Sequence, residues 1–207
     1  MSLTKDQLFA LIGANVPDNT SGAITPAKMR EVLTQTADSM LFADKGMREV
    51  EVLRAFSTVT QQPSALNTPI QLTFGAAQKA ATDPVMLNAA GLVTFNQAGT
   101  YAIRVKLQCG RTALAGQATV MSRILLNGAQ YGVPAAVRVD SSSMIIPTES
   151  RVILAAAATN TFAVQVMRDG ADSSVNAGGV FAVTSAVGAW GVSPSALLVI
   201  SRLEPVP

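Results

Sequence analysis

The residues able to do chemistry are few. The chain of 207 residues contains no histidine. That removes Ser-His-Asp and Cys-His catalysis and the commonest transition-metal ligand. Its single cysteine, Cys109, excludes an intramolecular disulfide and any Cys-rich zinc site, and its place in an alternating segment predicts a buried, inert thiol. Asp169-Gly170-Ala171-Asp172 carries two carboxylates, fewer oxygen ligands than a calcium loop uses, and is expected to be an ordinary turn. Asp140-Ser141-Ser142-Ser143 reads as a loop. A serine nucleophile there would need a lysine base, and no lysine lies near in the sequence. Gly178, Gly179 and Gly188 are not followed by the Gly-Lys-Ser/Thr of a phosphate-binding loop. No catalytic, cofactor-binding or metal-ligating residue is therefore expected, and no cofactor. Trp190, the one tryptophan, sits between Gly188 and Gly191. It is either a stacking platform for a carbohydrate in an exposed loop or a buried anchor, and its small apolar neighbours favour burial.

Composition narrows the class further. Only 14% of residues are charged, hydrophobic types reach 49% and aromatics 5%, and the formal net charge is +2. A nucleic-acid binder needs clustered Lys and Arg, so none is expected as a partner. The longest apolar run, 152–158, is far short of the ~20 residues of a membrane helix, and the first residues lack the pattern of a secretory signal, so no membrane partner is expected either. A chain this long buries about 70% of its unfolded surface. A low charge fraction points to surface covered by other chains. Ten Arg against five Lys suit planar, bidentate pairing at interfaces.

The elements that must position these residues fall into two parts. In the first, residues 1–50, Thr4 and Gln7 stand at capping-box spacing ahead of Leu8, Leu11 and Ile12, and Gly13 stops a short helix. Turn formers follow over 15–22. Thr25-Pro26 then opens a second helix, whose Met29, Val32, Leu33, Ala37, Met40 and Leu41 make one apolar stripe. That stripe must be buried, either on the following domain or on another protein. From residue 51 to 207 the helical period gives way to alternation. Strands are expected at 52–60, 70–74, 92–95, 99–108, 118–126, 132–140, 144–146, 151–156, 161–167, 179–186 and 196–203. Tyr101, Ile103, Val105 and Leu107 share one face, and so do Phe162, Val164 and Val166. Asn127-Gly128 is a tight-turn signal. Without interleaved helices, the prediction is an antiparallel sandwich or jelly roll.

Several pieces of this second part carry a resemblance. Arg54-Ala55-Phe56-Ser57, Ile70-Gln71-Leu72-Thr73-Phe74, the run from Gly91 to Tyr101, Leu125-Leu126-Asn127-Gly128 and the final 195–203 segment look like the jelly roll shared by tumour necrosis factor and the globular heads of the first complement component. The most characteristic is G-x-x-x-F-x-x-x-G-x-Y, in which Gly99 is expected to supply a turn while Phe95 and Tyr101 fill the core. The expected fold is thus mainly β, an antiparallel TNF-like jelly-roll sandwich preceded by a small helical N-terminal arm. Phe56, Phe95, Tyr101, Phe162 and Leu198 are the candidate core or trimer-contact residues. The segment 15–33, an N-x-x-x-N-x-x-G-x-I-T-P turn followed by an x-x-R-x-V-L helix, is similar to one recurrent near the N-termini of tailed-bacteriophage virion proteins.

Together the two resemblances imply a non-enzymatic, homotrimeric virion protein made in the bacterial host cytoplasm. It would decorate or cement a capsid, or form a head fibre. Its arm would attach it to other virion proteins such as the major capsid protein, through Ile24, Met29, Val32, Leu33 and Met40. The alternative is a receptor-binding module on a tail fibre or spike, which would recognise a host-surface glycan through loops bearing Trp190, Asp140 and Asp169. Neither a collagen-like stem, a heptad stalk nor a β-helix repeat is present in the sequence.

Overall fold

The computed structural model describes residues 47–112, 117–140, 145–170 and 178–205. The expected helical arm, with Ile24, Met29, Val32, Leu33 and Met40, lies outside them. The chain divides into two units, Met1–Arg48 with Glu204–Pro207, and Glu49–Leu203. In the first, the described residues include a bond from Arg48 Nη2 to Glu204 Oε2 at 3.3 Å. The second is the β module.

Its elements, in chain order, are β1 (Met47–Ser57), β2 (Ile70–Gln71), β3 (Val85–Leu87), β4 (Val93–Phe95), β5 (Gly99–Gly110), β6 (Ala118–Leu126), β7 (Ala129–Val139), β8 (Ile145–Ala156), β9 (Thr161–Arg168), β10 (Gly179–Val180), β11 (Val183–Thr184), a 3₁₀ turn (Gly188–Trp190), β12 (Val192–Ser193) and β13 (Ala196–Pro205). Pairing between the strands of known register is antiparallel. In one sheet β1 lies beside β13 and β13 beside β5, and β8 pairs the other edge of β5 along its whole length, from Gly99↔Ala156 to Gly110↔Ile145. In the other sheet β9 lies between β4 and β6, and β7 closes the edge beyond β6. The chain crosses between the sheets at β4–β5, β5–β6, β7–β8, β8–β9 and β9–β10, while β6 and β7 form a hairpin within one sheet, the interleaved order of a jelly roll. The expected fold class, an antiparallel jelly-roll sandwich, is the one observed.

Alternation explains the core. Tyr101, Ile103, Val105 and Leu107 point inward from β5, and Phe162, Val164 and Val166 do so from β9. Leu198 and Ile200 join them from β13, and Phe95 from β4. The motif from Gly91 to Tyr101 has a clear structural logic. Gly91 has φ +81°, and a Cβ there would lie 1.8 Å from the Leu72 carbonyl oxygen, so only glycine fits. The Phe95 and Tyr101 rings pack at 4.7 Å with a 48° tilt, and the buried Tyr101 hydroxyl donates to the Gln97 carbonyl at 2.8 Å. Gly99 does not make the turn. It opens β5 in extended conformation, and the Arg202 side chain lies over it, 3.1 Å from where a Cβ would stand. Asn127 (φ 51°) and Gly128 (φ 77°) form the tight β6–β7 turn, as their types dictate.

Several expectations are corrected. Phe56 is not a core residue. Leu53, Ala55 and Ser57 take the inward positions of β1, which leaves Phe56 on the outer face at 53% exposure. β1 opens at Met47 rather than 52 and so overlaps the end of the segment assigned to the arm. The pieces expected at 144–146 and 151–156 belong to one continuous strand, β8, with Met144 itself outside the described residues. The piece expected at 179–186 divides into β10 and β11, which pair different partners. β3 was not expected. It is three residues long, too short to show a period.

Candidate functional site

Register places the functional candidates. β5 ends at Gly110, opposite the start of β8 at Ile145. The start of β6 at Ala118 pairs the end of β7 at Val139, and Val120 pairs Arg168 at the end of β9. β10 pairs Cys109 and Gly110. The connections 111–117, 140–144, 169–178 and 181–195 therefore leave the sandwich at one pole. At the other pole are the β4–β5 turn, the Asn127-Gly128 turn and the β8–β9 turn, the last two joined by Asn127 N to the Thr161 carbonyl at 2.8 Å. β1 enters the sheet at this second pole, because its far end at Ser57 accepts from Ser195 N, just before β13 begins.

Asp140, Asp169 and Trp190, the candidates for a recognition surface, thus all lie on connections at the first pole. Asp140 is exposed, and Asp169 is half-buried with its N–H donating to the Thr119 carbonyl at 2.9 Å. Ser141, Ser142, Ser143 and Asp172 fall outside the described residues. Trp190 is not the buried anchor that its small neighbours suggested. It is 83% exposed, at the tip of the β11–β12 hairpin. Two features put it there. The hairpin turns through a 3₁₀ segment closed by Gly191 at φ +67°. Its strands, two residues each, have both faces uncovered. Val183, Val187 and Val192 are exposed beside Trp190, and no charged side chain occurs between Val180 and Ser201.

Apolar exposure also runs along the edge formed by β7 and β8. Val133 is 89% exposed, Ile153 is exposed, and Ala135, Ala136, Ala155 and Ala157 are uncovered with them. Ala155 and Ala157 thus border surface, while Ala156 between them is buried. The outer face of the sheet holding β5 is instead charged. Glu149 bridges Arg104 (3.2 Å) and Lys106 (3.0 Å), Glu49 pairs Arg151, and Glu51 pairs Arg54 at 2.6 Å. The acids separate Arg104 from Arg151, which are direct cross-strand partners. The Arg54 hydrogen bond holds the Glu51 carboxyl below its usual range. These pairs are exposed, so solvent screening leaves each with little effect on stability. The arginines expected to pair across interfaces are engaged within the chain: Arg123 on Gln165, Arg138 on Gln117, Arg168 on the Ser64 carbonyl.

Cys109 is buried, as expected, and burial pushes its thiol up to about 11, with a weak contact to Thr148 Oγ1 at 4.0 Å. Among the described residues no group of three or more acids or thiols is placed to hold a metal ion, and no helix is long and apolar enough to cross a membrane.

Sequence reasoning missed one feature. A cavity of about 360 Å³ lies on the outer face of the β6–β7–β9 sheet, lined by Met121, Met167, Arg123 and Gln165 among others. The signal that could have found it is Gly132-Val133-Pro134. Proline inside a strand pattern marks an edge or a bulge, and the register shifts there.

No family model matches the chain, and no curated protein matches it. Among solved structures it is similar to murine APRIL. The crystal structure at pH 8.0 has 8% identity and a TM-score of 0.44, covering 74% of this chain and 98% of that one. The structure at pH 5.0 has 10% identity and a TM-score of 0.46, covering 75% and 100%.

Proposed function

We propose that the chain is a non-enzymatic structural protein of a bacteriophage virion, a homotrimer that decorates or cements the capsid or forms a head fibre, held by its N-terminal arm. The observation that carries this reading is the polarity of the sandwich. The chain enters β1 at one pole, and the long connections leave from the other. An arm fixed to a particle would therefore hold the module by one end and turn its loops outward. The segment 15–33, with its virion-type pattern, precedes β1 in the sequence. Self-association is supported by the apolar side chains exposed on β7 and β8, where Val133, Ile153 and neighbouring alanines are open to solvent. An arrangement of three copies about an axis would cover those side chains in each copy.

A second reading, the receptor-binding module of a tail fibre or spike, is favoured by one observation: Trp190 at the tip of an uncharged hairpin on the loop pole. Copy number separates the two. Stained-gel densitometry of purified particles is expected to give tens to hundreds of chains per particle for a decorating protein. A few trimers per particle would establish the second reading, and absence from particles would overturn both.

A further inference from the structure

We propose that the cavity on the outer face of the β6–β7–β9 sheet binds one unit of an acidic sugar, its carboxylate on Arg123. This goes beyond the structural role above and does not depend on where the protein resides.

The cavity follows from a bulge. β6 pairs β7 regularly from Ala118↔Val139 to Ser122↔Ala135, and pairing resumes at Ile124↔Tyr131. Gly132, Val133 and Pro134 are thus looped out opposite the single residue Arg123. Gly132 takes φ +71°, and Pro134 has no N–H to give the ladder. The displaced edge makes one wall, with Pro134, and Pro69 makes the opposite one.

Between them lie two outward cross-strand pairs, Met121↔Met167 and Arg123↔Gln165. They stand two residues apart along the strands, about 6.6–6.8 Å, close to the span of a pyranose ring. The thioether pair offers an apolar, adaptable floor for the C–H face of a sugar. The other pair supplies the charge. Gln165 Oε1 accepts from Arg123 Nε at 2.9 Å and from Nη2 at 2.7 Å, which holds the guanidinium plane in place. That partner is a neutral amide. Among the described residues no carboxylate lies within ion-pair distance of Arg123, in contrast to Arg48, Arg54, Arg104 and Arg151. A fixed, half-buried guanidinium without a counter-charge selects a carboxylate.

The remaining polar groups suit hydroxyls. Asn67 Oδ1 accepts from Gly170 N, which leaves its amide nitrogen to donate. Gln130 Nε2 donates to the Gly132 carbonyl, which leaves its oxygen to accept. Three side-chain amides with one guanidinium over an apolar floor match a ring that carries several hydroxyls and one carboxylate. The volume suits a single monosaccharide.

The test is titration of the full chain, followed by calorimetry or by ligand-observed NMR, with D-glucuronate, N-acetylneuraminate, D-glucose and acetate. Saturable millimolar binding is expected for at least one of the two acids. D-glucose and acetate are each expected to bind at least about tenfold more weakly. Arg123→Gln is expected to weaken the acid at least about tenfold, and Gln130→Ala, at an exposed edge position, to weaken it less while leaving the melting temperature unchanged. Trp190→Ala is expected to leave binding intact. No binding of either acid to the folded protein would overturn the proposal, as would equal binding of D-glucose or acetate, or full binding by a folded R123Q protein. Loss of binding in W190A would move any sugar site to the loop pole and overturn it as well.

Discussion

Two glycines with nearly the same backbone angle sit in different surroundings. Gly91 and Gly128 have φ of +81° and +77°, but a Cβ at Gly91 meets the Leu72 carbonyl at 1.8 Å while one at Gly128 meets nothing within 4 Å. Gly128→Ala is expected to cost about 1 kcal/mol, the left-handed penalty alone. Gly91→Ala adds backbone displacement and is expected to cost about 3 kcal/mol or more. Urea unfolding of the two variants measures the difference directly. Cys109 gives a pH prediction. Its folded thiol titrates near 11, above a reference of 9.0, because the charged form is desolvated. The unfolded chain therefore releases the proton first as pH rises. The contribution is fully present below pH 9 and is lost between about 9 and 11, worth on the order of 2–3 kcal/mol. Denaturation midpoints at pH 8, 9.5 and 11 are expected to fall, and C109A should flatten that decline. The burial of Cys109 was legible because it shares the parity of Tyr101, Ile103, Val105 and Leu107. Phe56 was not legible, since Ala55 and Ser57 hold the inward positions and the bulky residue faces out, against the usual correlation of size with burial. Trp190 was ambiguous because nothing in eleven uncharged residues says on which side a hairpin lies.

Strand length decides how much could be read from pattern. β5, β6 and β9 are long, and their expected bounds fall within two residues of the observed ones. β2, β3, β10, β11 and β12 have two or three residues each, and their existence depends on a partner strand rather than on any period of their own. The Met121, Arg123 and Gln165 grouping depends on the β6–β9 register, which no local pattern encodes. Glutamates at Val133 and Ile153 replace side chains that already face solvent, so the fold of each copy should survive. V133E/I153E is expected to leave far-UV circular dichroism and melting of the monomer close to wild type while lowering the sedimentation coefficient from that of a trimer to that of a single chain. A wild-type protein that sediments as a monomer at tens of micromolar would remove the assembly reading.

The whole molecule would join the proposed arm to a two-poled sandwich with its loop surface. Val32→Asp with Leu33→Asp tests how the arm serves it. If the stripe docks on a particle, the double variant should fold, melt and self-associate like wild type yet be missing from purified virions by mass spectrometry. A drop in melting temperature would show that the stripe packs on its own module instead. The sheet order carries one more consequence, for the time course of folding. β1 lies beside β13, and the bonds that join their neighbourhood link residues 138 apart, as from Ser195 Oγ to the Ser57 carbonyl. β5 likewise receives β13 along one edge only after some ninety further residues exist. On the ribosome the first strand must wait, edge exposed, until the last has left the exit tunnel. The charges of β1, Arg48, Glu49, Glu51 and Arg54, keep that waiting strand soluble. Such long-range closure places the module among slow folders, because the entropy of closing the long loop comes before the β1–β13 contacts that offset it.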